Sequence, residues 1–134
     1  MTADKSQYIE AVGRRKTAIA RVRITPASKQ SIRVNDKELA DYFKTSDLQR
    51  TALESMEKSG ITEKFSITAK LIGGGINSQA ESVRLGIARC LEKFNPTLRA
   101  VLKKEGFLTR DQRAVERKKP GLKKARKRPT WSKR

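Results

Sequence analysis

Two periodicities divide the chain. Between Ala18 and Ile24, in A-I-A-R-V-R-I, the small and apolar residues Ala18, Ala20, Val22 and Ile24 alternate with Ile19, Arg21 and Arg23. That period of two predicts a strand with one buried face and one cationic face. Phe65–Ile72 repeats the pattern, with Phe65, Ile67, Ala69 and Leu71 set against Ser66, Thr68 and Lys70. Tyr8–Gly13 and Ser31–Val34 read as shorter strands, and Pro26 ends the second. Elsewhere the period lengthens to three and four residues. Ala80, Val83, Ile87, Cys90, Leu91 and Phe94 form one apolar stripe on the longest predicted helix, which must be buried against a neighbouring layer. A capping box is expected at Ser78-Gln79-Ala80-Glu81, after the three-glycine turn Gly73-Gly74-Gly75. A second helix is expected from about Leu48 to Met56, capped by Asp47 and stopped by Gly60. Asn35-Asp36 is read as a turn into a short helix holding Leu39, Tyr42 and Phe43. Asn95-Pro96 opens a last helix with Leu98, Val101 and Leu102 on its face, and Gly106 stops it.

Four strands and about four helices predict an α+β two-layer sandwich, a mostly antiparallel sheet with helices on one face. Length agrees with one domain: the chain has 134 residues, too few for two comfortable ones.

Charge changes the picture. The chain carries 32 Lys and Arg against 14 Asp and Glu, a net of +18. Charge on this scale speaks of partners, and nucleic acid leads, since Lys and Arg neutralise phosphates and release counterions. A membrane is disfavoured, because no apolar run approaches the ~18 residues of a spanning helix. The excess is also uneven. Residues 1–106 carry 20 basic and 12 acidic residues, while residues 107–134 carry 12 against 2. The first segment reads as a globular domain and the second as an extended basic tail, too poor in apolar residues to build a core. Thr109–Lys118 is allowed one fraying helix, which Pro120, Gly121 and Pro129 keep short. From Lys118 the tail reads K-K-P-G-L-K-K-A-R-K-R-P-T-W-S-K-R, a reach on the order of 50 Å at about 3.3 Å per residue.

Candidate chemistry is sparse. The absence of histidine excludes imidazole acid–base work and zinc–histidine sites. The lone Cys90 forbids an internal disulfide, fits a reducing cytoplasmic setting and falls on the buried stripe as a small core residue. Asp36, Glu38 and Asp41 read as a solvated turn, so neither a catalytic constellation nor a metal or cofactor site is expected. The N-terminus shows no apolar signal segment, in keeping with a cytoplasmic location. The glycine turn lacks the Gly-Lys-Ser/Thr and G-x-G-x-x-G patterns of nucleotide sites. It serves either as a closely packed strand-to-helix connection or as amides offered to an RNA phosphate. Gly13-Arg14-Arg15-Lys16 reads as a tight basic turn continued by Arg21 and Arg23 on the exposed face, a phosphate-contacting surface. Trp131 either docks on the domain or stacks on a nucleotide between its cationic neighbours.

Three blocks, G-R-R-K-T-A-I-A-R-V (13–22), G-G-G-I-N-S-Q-A-E-S-V-R-L-G-I-A-R-C-L (73–91) and the closing K-K-P-G-L-K-K-A-R-K-R-P-T-W-S-K-R, resemble the ninth protein of the small ribosomal subunit, bacterial type. The resemblance runs over essentially the whole chain. It implies a left-handed βαβ crossover, where general chirality favours the right-handed one. It also implies assembly on ribosomal RNA in the subunit head beside neighbouring head proteins, with the end of the tail at the anticodon stem-loop of tRNA in the peptidyl site. The rRNA-contacting set is then Arg14, Arg15, Lys16, Arg21, Arg23, Gly73, Gly74 and Gly75 in the body. In the tail it comprises Arg113, Arg117, Lys118, Lys119, Lys123, Lys124, Arg126, Lys127 and Arg128. Ser132, Lys133 and Arg134 fall to the tRNA. A structural role is expected rather than an enzymatic one. Two competing readings are the protein subunit of a ribonucleoprotein ribonuclease acting on precursor tRNA, which has no use for such an arm, and a DNA-architectural protein.

Overall fold

The computed structural model describes residues 8–131, so Ser132, Lys133 and Arg134 lie outside the described residues. Strands β1 (Ile9–Arg15) and β2 (Ala18–Pro26) form an antiparallel hairpin paired from Ile9↔Ile24 to Arg15↔Ala18. Strand β3 (Ser31–Val34) is followed by the two-residue β4 (Lys37–Glu38), and β5 (Phe65–Ile72) lies between β2 and β3. The sheet order is β1-β2-β5-β3-β4, antiparallel except for the parallel β3–β5 pair.

The α+β class predicted from the periodicity is observed, with five strands in place of the expected four. The difference lies at Asn35-Asp36. Both residues take positive φ, 49° and 65°, the conformation of a two-residue type I′ hairpin loop. The chain therefore returns along β3 as β4 before entering helix α1 (Leu39–Tyr42). Asn35 does more than turn: its Oδ1 accepts from the Leu71 amide at 2.8 Å and its Nδ2 donates to the Leu71 carbonyl. The side chain thus continues the ladder where the left-handed backbone has left it.

Helix α2 (Ser46–Ser59) starts at Thr45 and runs longer than the predicted Leu48–Met56; Asp47 sits inside its first turn instead of capping it. Gly60 ends α2 in the left-handed conformation, as expected. Helix α3 (Ile76–Phe94) lies across β1 and β2. It approaches closely because two glycines meet at the crossing. A Cβ on Gly13 would overlap the Ser82 carbonyl and stand 2.6 Å from the Gly86 nitrogen, and one on Gly86 would stand 2.5 Å from Val22 Cγ2. The predicted stripe is buried at Ala80, Val83, Ile87, Cys90 and Leu91, facing Val22, Ile24, Phe65 and Ile67 from the sheet in one core. Phe94 closes one end of it, edge to face with Phe65 at 5.0 Å. Each fully buried Ile, Leu or Phe contributes about 2 kcal/mol.

The capping box does not form, because α3 begins two residues before Ser78, with Gly75 at its N-cap. Asn95 caps as expected, its Oδ1 accepting from the Thr97 amide, but over a 3₁₀ turn, Pro96–Leu98, that leads into α4 (Arg99–Lys104). Of the face predicted for this helix Leu102 is buried, while Val101 is 42% exposed. The core continues past Gly106 into Phe107, whose amide donates to the Leu102 carbonyl at 3.0 Å.

Strand β1 is a sheet edge, and α3 closes part of it. Arg89 donates to the Val12 carbonyl at 2.6 Å and Lys93 to the Glu10 carbonyl at 2.8 Å.

Candidate nucleic-acid interface

Helix α3 packs on the face of the sheet that buries Ala20, Val22 and Ile24, and α2 packs on α3. Register assembles what the strands present on the other face. One row runs Glu10–Arg23–Thr68–Arg33–Glu38, the next Val12–Arg21–Lys70, and the third Arg14–Ile19–Ile72. The result is an open face holding Arg14, Arg21, Arg23, Arg33 and Lys70. Arg21 and Arg23 stand where the alternation predicts. Both guanidiniums are bonded to the Glu10 carboxylate, Arg23 at 3.2 Å, and Arg23 also lies over the Tyr8 ring. The hydrogen bond from Arg21 is the main cause holding Glu10 below the usual carboxylate range. Arg33 and Lys70 also belong to this face, which their local sequence does not mark. Each occupies the polar phase of its strand, and only the β3–β5 pairing reveals that they share a face with Arg23 and Arg21.

The basic turn is smaller than predicted. Gly13, Arg14 and Arg15 belong to β1, paired with Ala20, Ile19 and Ala18, and the reversal is made by Lys16 and Thr17, with Lys16 at a φ of 54°. Arg14 and Lys16 are exposed. The glycine turn packs against this reversal. A Cβ on Gly73 would stand 2.8 Å from the Thr17 carbonyl oxygen and one on Gly74 2.6 Å from Ala18 Cβ, and both glycines have φ near 70°. Close packing, one of the two roles open to the glycines, therefore holds for Gly73 and Gly74. Gly75 meets nothing. A hydrogen-bonded chain steadies the loop: the Tyr42 hydroxyl donates to Gln79 Oε1 at 2.7 Å, and Gln79 Nε2 donates to the Gly73 carbonyl at 3.0 Å. The first turn of α3 carries no acidic residue. Its free amides and the positive end of the helix dipole thus lie at the exposed turn 75–77.

Arg15 behaves differently from its neighbours. Its side chain is only 13% exposed, Nε lies 2.6 Å from Glu81 and Nη2 3.5 Å from Asp111. Nη1 donates to the Arg113 carbonyl. Its guanidinium thus serves the root of the tail. Phe107 is buried one turn earlier with the Arg84 guanidinium 5.6 Å from its ring, and Arg84 is itself paired with Glu54 at 2.9 Å.

The fraying helix expected over Thr109–Lys118 is absent. Arg113 folds onto Asp111 locally, its amide and guanidinium both donating to that carboxylate, an arrangement that competes with a helical turn. The Arg113 side chain holds Asp111 well below the usual carboxylate range. Beyond it Lys119-Pro120-Gly121-Leu122 makes a turn closed by the Leu122 amide on the Lys119 carbonyl at 3.2 Å, with Gly121 at a φ of 84°, as in a type II turn. Glu116 bonds to Lys119 and Arg126, each at 2.8 Å. From Gln112 to Trp131 every residue but Leu122 and Ala125 is exposed, among them Arg117, Lys118, Lys123, Lys124, Lys127 and Arg128. Trp131 is 81% exposed, so it does not dock on the domain.

Cys90 is sealed inside. Its Sγ lies 3.4 Å from the Val22 carbonyl oxygen, and burial pushes the thiol up to about 12. Among the described residues no group of three acidic or cysteine side chains is placed to hold a metal, and no helix is long and apolar enough to cross a membrane.

Comparison with known proteins finds similar sequences over nearly the whole length of the chain. The family model described as "Ribosomal protein S9/S16" matches residues 13–134. A "Small ribosomal subunit protein uS9" of Parabacteroides distasonis is 48% identical over 128 residues, covering 96% of this chain and 99% of the relative. The protein of the same name from Azobacteroides pseudotrichonymphae is 47% identical with the same coverage. That of Porphyromonas gingivalis is 47% identical over 95% of this chain and 98% of the relative. The chain belongs to the ribosomal protein S9/S16 family, a family of structural ribosomal constituents rather than enzymes.

Proposed function

We propose that the chain works in the small subunit of the cytoplasmic ribosome as a two-part RNA ligand. The open sheet face and the reversal beside it, with Arg14, Lys16, Arg21 and Arg23 joined by Arg33 and Lys70, lie on ribosomal RNA. The Gly75 end of α3 offers its free amides to a phosphate of the same RNA. The tail then follows the RNA surface with Arg113, Arg117, Lys118, Lys119, Lys123, Lys124, Arg126, Lys127 and Arg128. Ser132, Lys133 and Arg134 reach peptidyl-site tRNA, and neighbouring head proteins flank the body. The parallel β3–β5 connection through α1 and α2 is left-handed in this reading, as the family resemblance implies.

The exposure of the tail carries the proposal. Residues 107–134 hold 12 basic and 2 acidic residues, and the described part of that charge meets water instead of the body. Polyanion binding stabilises such a segment by counterion release, and the resulting affinity falls steeply with salt. Cutting after Arg113 leaves Phe107, Asp111 and the core in place while removing ten cations. The salt slope of rRNA binding should then fall by about 5 or more in log–log units, measured by filter binding between low and moderate salt. An unchanged slope would sink the proposal. Removing only Ser132 to Arg134 should weaken peptidyl-site tRNA binding while subunits still assemble, and failed assembly would refute that division of labour.

A further inference from the structure

Arg15 sits in the middle of the most basic stretch of the body, yet its guanidinium is committed to groups of its own chain. Strand β1 pairs it with Ala18, on the helix side of the sheet. There three groups of its own chain surround the guanidinium: the Glu81 carboxylate on α3, the Asp111 carboxylate and the Arg113 carbonyl at the tail root. These come from two separate places in the sequence, α3 and the tail root, and the guanidinium's planar fork suits several acceptors at once. Phe107 has already fixed the chain a few residues upstream. Together the two points hold residues 107–113 against the body, and a segment pinned at two points has a direction.

We propose that Arg15 is a positioning residue: it clamps Asp111 and Arg113 against Glu81 and so sets the heading at which the tail leaves the domain. This rests on the reading of the tail as an RNA ligand and adds how it is aimed. A tail launched along a fixed line loses less conformational freedom when it is threaded onto RNA than one swivelling just beyond Phe107. The clamp's acids are part of the device. Glu81 and Asp111 lie in a protein bound for polyphosphate, where an uncommitted carboxylate would only repel.

The full-length protein supplies the test, with Arg15→Gln, Asp111→Asn and Glu81→Gln compared with wild type. Backbone order by 15N relaxation, measured without RNA, judges the clamp. In each variant residues 109–113 should become as mobile as residues 125–131, with amides of the β2–β5 core unchanged. RNA binding then gives opposite signs for the alternatives. Simple electrostatics makes Asp111→Asn and Glu81→Gln bind rRNA more tightly, since each removes a negative charge. The clamp makes both bind about threefold more weakly, through lost preorganisation. An Arg15 that contacted phosphate would lower the salt slope by about 0.9 when replaced; the clamp leaves it unchanged. Unaltered order at 109–113, or tighter binding by the two acid variants, overturns the proposal. A wild-type protein whose RNA affinity ignores salt defeats the functional reading instead, while the relaxation data still decide whether the clamp exists.

Discussion

Body and tail are both basic, but they spend their charge in opposite ways. In the body 12 acids stand among 20 cations, and several cations are paired: Arg21 and Arg23 share Glu10, Arg84 holds Glu54, Arg99 holds Glu92, and Lys58 reaches Glu54 and Glu105. Such exposed pairs contribute little to stability; they set the positions of guanidiniums on a rigid surface. In the tail Asp111 and Glu116 are the acids available to 12 cations. Burial differs likewise. Val22, Ile24, Ile67 and Leu91 vanish from solvent, whereas from Gln112 to Trp131 every residue but Leu122 and Ala125 is exposed. The contrast separates information about folding from information about binding. The body's residues specify where its own atoms go, and the tail's specify what it will meet.

That contrast can be broken at one glycine. Gly13→Val drives a side chain into the Ser82 carbonyl and the Gly86 backbone, and these are main-chain atoms of a packed helix that cannot yield cheaply. The body should lose about 3 kcal/mol or more, read by urea unfolding, while the tail keeps its non-specific affinity for RNA. A smaller test uses pH. The Cys90 thiol is raised from its usual value near 9 to about 12, so in this range the unfolded chain releases a proton that the folded one keeps. Stability is therefore complete below about pH 9 and is lost as pH rises toward 12. Relative to Cys90→Ala, the wild type should lose up to about 1 kcal/mol per pH unit in that window. Equal slopes would mean that the thiol is not buried as described. The smallest effect belongs to the tail. Trp131→Ala should leave unfolding unchanged and weaken binding to subunit RNA by about 1 kcal/mol, with Trp131→Phe recovering most of it, if the ring stacks on a base.

Much of the body was legible because its periods are clean. The alternation in β2 and β5 and the stripe on α3 each place apolar residues on one side only, and burial follows. The missed features depend on contacts distant in sequence. Nothing local marks Gly13 and Gly86 as a crossing point, since 73 positions separate them. Arg33 joins the cationic face only through a parallel pairing with β5. Ser78 and Glu81 carry the letters of a capping box, but Glu81 is drawn to Arg15 and α3 starts earlier, on the glycine turn. Arg15 itself looks like its neighbours in a run of three cations. Its strand phase, which turns it toward α3 while Arg14 faces away, is what gives it another task. In the tail, residues 112–131 are largely exposed, and Pro120-Gly121, which the sequence marks only as helix breakers, form a hydrogen-bonded turn.

The hydrogen bonds from α3 to the carbonyls of strand β1 have a use before any RNA arrives. Arg89 and Lys93 occupy the outward carbonyls of Val12 and Glu10, which an incoming strand would need for docking. The opposite border of the sheet, β4, is two residues long, too short to template one. A newly made copy awaiting its place thus offers little for another copy to zip onto, and stays available for assembly.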